Sequence, residues 1–375
     1  MLSIGSIAIK SLRANQKYTE QPIRDDGPPS HMVKQGTPTM GGLVILPVLF
    51  FTTAVWADVF DTTLLVVMLS TLAFGAIGFY DDYLKVSKQT HRGLSVKKRL
   101  ILEFIVSIPI VLYLISICDG TGSDTSAPMS VISSLDGTGS DTSFPMHLIS
   151  VLESIGLDAL IPLSLISSLE TISLDTSVTI PFLATLDLGL FYIPLGAMTV
   201  VLTSNSVNIM DGVDGLAISS IVIVALAFAV IACCLGDGEC AGHMGARYMT
   251  NGKELTVLLG AVIGVGLGFL KFNAPTALVF MGDTGALALG ALLGAVAVAT
   301  KHELFMVIIG GAFVIEATSV VLQVVSFKLT GKRILIMAPL HHHLELLGWK
   351  EMHIVVCFCF LSFIFGLIGL LSLII

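Results

Sequence analysis

Charged residues are scarce in this chain. They make up 12% of its 375 residues, whereas 54% are hydrophobic and the mean hydropathy is +0.93. A soluble protein carries about twice that charged fraction. The shortage argues against a water-soluble globular protein, and the apolar runs that recur along the chain predict an all-α polytopic membrane protein. The net charge of −8 is not informative about partners, because charge is segregated by loop, and we expect no nucleic-acid partner.

Two further absences narrow the class. The six cysteines show no CxxC spacing, and most lie in or beside apolar runs, which indicates inert membrane cysteines rather than a metal or redox motif. The first ten residues are too short to span a bilayer and lack a cleavage site, so they do not read as a signal peptide.

Nine stretches are long enough to span a membrane. They are roughly 40–57, 63–80, 99–117, 188–205, 216–235, 255–271, 285–300, 304–327 and 352–375. Lys and Arg are concentrated in alternate loops, and the positive-inside rule makes those loops cytoplasmic. The C-terminus then lies outside, and residues 1–10 are interpreted as the remnant of a tenth span.

A segment without Lys or Arg separates the third and fourth spans. From Asp119 it repeats every 17 residues, and the first two copies match at 13 of 17 positions. Two decayed copies follow up to Leu186. We interpret the segment as an acidic, extracytoplasmic tandem duplication, with stacked strand-and-turn units or a partly ordered insertion as the alternatives.

The unusual polar clusters all fall on the predicted cytoplasmic side. The first runs from Lys34 through Thr37 to Gly42 (KQGTPTMGG) and could hold an anion, or could be an ordinary helix entrance. The second ends a span with Asp81, Asp82 and Lys85. Adjacent acids point about 100° apart on a helix and repel unless a cation lies near, so we favour a functional pair over a solvated helix end.

The third and fourth clusters carry further oxygen ligands. In NSVNIMDGVDG a polar residue recurs every three positions, an arrangement that suits Mg²⁺, although either acid could be a plain helix cap; the residues are Asn205, Asn208, Asp211 and Asp214. KFNAPTALVFMGDTGALALG contains Asn273, Phe280 and Asp283. An acid at the edge of a span is costly unless it binds something.

The fifth cluster is PLHHHLE, in the basic loop before the last span. His341, His342 and His343 diverge too much to share one metal, so we interpret them as donors to phosphate or sugar. The basic stretch from His91 to Arg99 includes Lys97 and could instead be a head-group anchor. The roles of Glu103 and Glu316 stay open.

These motifs in this order resemble the bacterial phospho-N-acetylmuramoyl-pentapeptide transferase family, within the polyprenyl-phosphate N-acetylhexosamine-1-phosphate transferase superfamily. The resemblance implies transfer of phospho-MurNAc-pentapeptide from UDP-MurNAc-pentapeptide to undecaprenyl phosphate, giving lipid I and UMP, with Mg²⁺ as cofactor. It also implies a multi-pass protein of the bacterial cytoplasmic membrane, embedded in the lipid bilayer with its site on the cytoplasmic face, and a possible homodimer.

The resemblance assigns roles to individual residues. Asp283 is implied as the Mg²⁺ ligand together with Asp211, and Phe280 as the aromatic that stacks on uracil. Asp81 is implied as a base, with electrostatic positioning as its rival, and Asp82 completes the acidic pair. The remaining residues are implied in substrate binding: Lys34, Thr37, Lys85, Lys97, Asn205, Asn208, Asp214, Asn273, His341, His342 and His343.

Three departures and three rivals accompany this interpretation. The first span is shortened, the repeats replace a short outer loop, and three uncharged motif residues, Ile209, Met210 and Ala286, differ from the usual ones. The rivals are a UDP-N-acetylglucosamine transferase, a nucleotide-sugar transporter and an inactive relative. We expect one catalytic membrane domain formed by 1–117 and 188–375, with 118–187 inserted.

Overall fold

The computed structural model describes residues 1, 5–6, 10, 36–88, 93–117, 175–181, 185–243, 246 and 248–373. These residues form α1 (Gly42–Trp56), α2 (Thr62–Ser87), α3 (Val96–Ile117), β1 (Ser177–Thr179), β2 (Thr185–Asp187), α4 (Tyr192–Met210), α5 (Leu216–Leu235), α6 (Gly238–His243), α7 (Gly252–Asn273), α8 (Gly282–Ala299), α9 (Glu303–Ile309), α10 (Gly311–Thr330), α11 (Leu340–Leu346) and α12 (Glu351–Leu371). The architecture is the all-α polytopic membrane fold that the composition predicts.

Eight helices of the described part are long and apolar enough to cross a membrane: α2, α3, α4 with the 3-10 turn before it, α5, α7, α8, α10 and α12. The first predicted span is a helix of 15 residues, Gly42–Trp56, about 22 Å long and therefore shorter than the roughly 30 Å hydrocarbon core. The eighth predicted span is divided at Gly310 into α9 and α10. The count of nine stays a prediction, and the remnant at residues 1–10 lies largely outside the described residues.

Helix α8 lies at the centre of the bundle. Every residue from Thr284 to Ala299 is buried, because α8 packs against α2 on one side and α4 on the other. The sequence GDTGALALGALLGAVAVA is rich in Gly and Ala, which allows this approach: a Cβ added at Gly290 would lie 2.7 Å from Ser204 Cα. The first turn of α8 carries Asp283, so the central helix presents that acid at one end of the bundle.

At the opposite end of the bundle two short strands pair antiparallel, with Val178 opposite Leu186. They are formed by the last of the predicted repeats, while the other repeats fall outside the described residues. The Asp175 amide donates to Ile115 O at 3.3 Å, so the two ends of the inserted segment lie side by side. The Lys301 ammonium bonds the Asp175 carbonyl and lies 4.1 Å above the ring centre of Tyr192.

Two of the six cysteines form a disulfide, which the expectation that most are inert membrane cysteines did not foresee. Cys234, at the end of α5, forms a disulfide with Cys240 of α6. Cys233, Cys357 and Cys359 are free. The sequence did not indicate this pairing, because it depends on α6 turning Cys240 back onto the end of α5. A helix of only six residues leaves no clear periodic pattern in the sequence.

Candidate active site

One end of the bundle gathers the polar clusters. Asp81, Asp82 and Lys85 occupy the last turns of α2, and Asp283 begins α8. The two helices approach closely at Gly78, where an added Cβ would overlap the carbonyl oxygen of Asp283. Because the end of one helix meets the start of the other, acids that are 200 positions apart in the sequence share one site.

Lys85 joins two of these acids. Its ammonium lies 2.6 Å from Asp81 Oδ2 and 2.8 Å from Asp283 Oδ2. The other oxygen of Asp81 accepts from the Leu94 amide at 2.5 Å. The side chain of Asp81 is 2% exposed and that of Asp283 is 15% exposed. Asp81 is therefore anchored on both oxygens and almost inaccessible, whereas Asp283, which also contacts Lys85, keeps part of its side chain exposed.

Asp82, from α2, accepts hydrogen bonds from the first turn of α8. One of its oxygens accepts from the Thr284 amide at 2.9 Å and from the Thr284 hydroxyl at 2.7 Å, and the other accepts from the Asp283 amide at 3.3 Å. A carboxylate at a helix N-terminus satisfies amides that lack intrahelical partners and opposes the positive end of the helix dipole. Gly282, with φ of +72°, supplies the turn that aims these amides at Asp82.

Arg99 is the site residue that sequence reasoning missed. Its guanidinium lies 3.5 Å from Asp283 Oδ2, donates to Asn205 Oδ1 at 3.1 Å, and is 3.6 Å from buried Glu103. Asn208, with its amide nitrogen facing the carboxylate, donates to Asp283 Oδ1 at 3.2 Å and accepts from Arg99 at 3.3 Å. The predicted Lys97 lies on the exposed face of α3. The sequence did offer one indication of Arg99: it lies four positions before Glu103, a spacing that pairs opposite charges on one face of a helix.

Asp211 and Asp214 flank the turn between α4 and α5. Asp211 is the C-cap of α4, outside the membrane-spanning segment. Burial raises the pKa of Asp211 well above its usual range, and the carboxylates of Asp283, Asp82 and Asp214 add to this effect. Asp214 is buried and accepts from the Ala277 amide at 3.0 Å. Asp211 therefore lies where several carboxylates converge, and Asp214 ties the turn to the chain before α8.

The segment before α8 is fixed by Asn273. Its amide accepts from Gly215 N at 3.1 Å and donates to Val279 O at 2.9 Å. Phe280 follows Val279. Its backbone amide donates to Pro38 O at 2.9 Å, and its carbonyl oxygen accepts from the Gly41 amide at 2.9 Å. The first cluster thus lies against the fourth, and Phe280 is held half-buried between them.

The remaining predicted residues are placed as follows. Thr37 is half-buried beside this segment, and Lys34 lies outside the described residues. His341 is fully buried, and a Cβ added at Gly212 would overlap its Nε2. His342 is bonded to Glu345 at 2.7 Å, and His343 Nδ1 accepts from the Ile336 amide at 3.2 Å. His341 is thus packed against the Asp211 turn.

Two acids of the site, Asp283 and Asp211, are the residues that could hold the expected magnesium ion. Within the described ranges no three His, Cys, Asp or Glu side chains are grouped so as to hold a metal by themselves. Mg²⁺ requires fewer, since it is commonly bound by one or two carboxylates, waters and phosphate oxygens. Asp283 and Asp211 are oxygen donors of this kind, and the raised pKa of Asp211 indicates a position where a cation would offset repulsion between carboxylates.

Comparison with known families identifies the class of enzyme. The model of glycosyl transferase family 4 matches residues 64–301, more than half of the chain, so the chain belongs to this family. Residues 34–46 match signature 1 of phospho-N-acetylmuramoyl-pentapeptide-transferase. The chain is thus a multi-pass membrane phosphoglycosyl transferase that makes lipid I by transferring phospho-MurNAc-pentapeptide from its UDP carrier to a lipid carrier, in peptidoglycan synthesis.

Proposed function

We propose that this transfer takes place at the end of the bundle where Asp81, Asp82, Asp211 and Asp283 meet, on the cytoplasmic face, with Mg²⁺ as cofactor and undecaprenyl phosphate as acceptor. The single observation that supports it best is the contact of Lys85 and Arg99 with Asp283, 2.8 and 3.5 Å away. Two anionic phosphates that must approach each other need fixed cations beside a metal-binding acid.

The distribution of positive charge supports the cytoplasmic face. Lys88, Lys271, Lys328 and Lys350 lie at or beyond the same ends of their helices as the site. Cytoplasmic loops of membrane proteins carry such an excess of Lys and Arg. The donor is a soluble nucleotide sugar and the acceptor phosphate lies at the bilayer surface, so a site at a cytoplasmic membrane edge can reach both.

The residues divide the work between phosphate binding and positioning. Asp283 and Asp211 would hold the ion, which supplies neutralisation of the pyrophosphate charge as UMP leaves. Lys85 and Arg99 orient the phosphates, and Asn208 keeps Arg99 against Asp283. Most of the barrier to phosphoryl transfer is then lowered by positioning and charge stabilisation.

Asp81 fits the positioning role better than the role of base. Both of its oxygens are engaged, one by Lys85 and the other by the Leu94 amide. A lipid phosphate is already largely ionised near neutral pH, so proton removal contributes little. Asp81 therefore places Lys85, while Asp82 places the first turn of α8.

Donor recognition is assigned to the segment around Phe280. The ring of this residue is half-buried, and both of its backbone groups are fixed by the loop from Pro38 to Gly41. We propose that it stacks on uracil, with Asp214 and Asn273 holding the surrounding loops in place. A homodimer, expected from the resemblance, stays a prediction.

The decisive assay is UMP release by detergent-purified protein given UDP-MurNAc-pentapeptide and undecaprenyl phosphate. We expect release that requires Mg²⁺ and is stopped by EDTA. UDP-N-acetylglucosamine, offered in the same assay, tests the nearest rival and should give no UMP. Folded protein that releases no UMP from the first donor would refute the proposal.

A further inference from the structure

Helix α10 carries a polar face although it spans the membrane. Glu316, Ser319 and Gln323 are spaced three and four residues apart and so lie on one side of the helix. Gln323 Oε1 accepts from the amides of residues 334 and 335 at 3.0 and 2.9 Å, and Ser319 Oγ accepts from the Leu340 amide at 3.1 Å. The loop after α10 therefore runs back along the helix, with its backbone satisfied by side chains.

Glu316, the first residue of this polar face, contacts His341. Glu316 is fully buried, its Oε1 accepts from the His341 amide at 3.2 Å, and its Oε2 lies 3.1 Å from His341 Nδ1. The carboxylate of Glu316 thus holds the backbone of His341 by a hydrogen bond, and its second oxygen lies against the His341 ring without hydrogen-bonding it. A buried acid inside a span is costly, which favours a specific use over chance placement.

The other edge of the His341 ring presses on the Asp211 turn. His341 Nε2 lies so close to Gly212 that an added Cβ would overlap it. His341 is fully buried, so in this arrangement its ring is enclosed between Glu316 and Gly212 and is not presented to a substrate. A continuous line of contacts therefore leads from the middle of α10 to the residue next to Asp211.

We propose that Glu316 is a positioning residue, which fixes the Asp211–Gly212 turn by holding His341 against it. The inference rests on the role proposed above for Asp211 in the site. Glu316 touches neither substrate nor metal. It acts by restricting His341 to one place, so that Asp211 is kept at a constant distance from Asp283.

A double-mutant cycle tests the contact itself. Gly212→Ala should lower kcat at least about tenfold because its methyl group overlaps the ring of His341. In a His341→Ala background the same change should alter kcat less than about twofold, since the obstacle is gone. Equal losses in both backgrounds would overturn the proposal. Gly260→Ala, where an added Cβ meets nothing within 4 Å, is the matched control and should leave kcat unchanged.

Two substitutions at Glu316 separate positioning from charge and from folding. Glu316→Ala should lower kcat about tenfold while the KM for the UDP substrate changes less than about threefold. Glu316→Gln can still accept from the His341 amide, so it should recover to within about threefold of wild type. A loss as large in Gln as in Ala, or a loss confined to KM, would contradict the proposal.

Failures of folding and of the proposed function can be told apart. If Glu316→Ala does not fold, Ser319→Ala is the milder variant. It removes the hydrogen bond from the Leu340 amide and the one that Ser319 Oγ donates to Glu316 O, and it should lower kcat about threefold in a protein that still folds. The inference would be overturned if Ser319→Ala left kcat unchanged and Gly212→Ala caused the same loss of kcat with and without His341→Ala. Wild-type protein that is folded but releases no UMP refutes the proposed function instead.

Discussion

Replacing Lys85 by Met is the sharpest test of the site, because it removes a cation without removing the methylene stem. The ammonium lies 2.6 and 2.8 Å from two carboxylates, and the three side chains are only 13%, 2% and 15% exposed, so water screens them poorly. Breaking a buried ion pair lowers the free energy of unfolding by about 3–5 kcal/mol, so the Tm of the variant should also fall. We take the lower value, about 3 kcal/mol, because Lys85 and Asp283 keep some contact with solvent.

The expected result is a fall in kcat for UMP release of about two orders of magnitude. Removing one fixed group that stabilises transition-state charge costs about 2.7–4 kcal/mol, and about 1.4 kcal/mol corresponds to tenfold. Lys85→Arg should not restore the rate, because a planar guanidinium does not fit where a compact charge bridges two oxygens. Lys88→Met, one position beyond the helix end and exposed, is the matched control. A Lys85→Met variant with more than a third of wild-type kcat would refute the assignment of the bridge to catalysis.

Three further predictions concern the metal, the outer face and the insertion. Asp283→Asn should abolish UMP release and also the rise in Tm that Mg²⁺ produces in the wild type; a retained Tm rise would argue against Asp283 as ligand. Burial raises the pKa of Glu303 from 4.5 to about 7, so the folded protein holds a proton that the unfolded chain releases, and stability falls as pH rises through that window. Glu303→Gln should therefore gain Tm relative to wild type between about pH 5 and pH 7, and a pH-independent difference would show the linkage to be wrong. Replacing residues 118–173 by two glycines should leave UMP release within about twofold, because the Asp175 amide already bonds Ile115 O; an inactive but folded deletion would contradict a passive insertion.

The convergence of the five clusters could be predicted from sequence, because apolar runs determine where each helix ends and positive loops determine which ends share a side. The structure brings all five into contact: the first cluster bonds Phe280, and the fifth reaches Gly212 through His341. The spacing of residues in the sequence could not predict which side chains pair with each other across the site. Lys85 bridging Asp81 and Asp283 depends on how closely α2 and α8 pack, which Gly78 permits.

The choice among adjacent cations also lay beyond the sequence. Lys97, Lys98 and Arg99 follow one another at about 100° intervals, and a helix that faces lipid on most sides does not show which of them points inward. The structure selects Arg99. The loop that carries His341 turns back along α10 and buries the residue against Glu316, which its position in a polar loop did not indicate. The expected contact of His341 with substrate stays a prediction.

The packing of α8 has a consequence for how the protein can vary and move. Along the whole length of this helix neighbouring backbones lie against Gly and Ala, so a larger side chain at Gly290 or Gly294 would push α4 away and carry Asn205 and Asn208 with it. We expect both positions to be restricted to Gly, because an added Cβ at either one would lie 2.7 Å from a Cα atom of α4. Asp283, fixed to this helix, then stays still during turnover, and admission of the two large substrates falls to the loops around it.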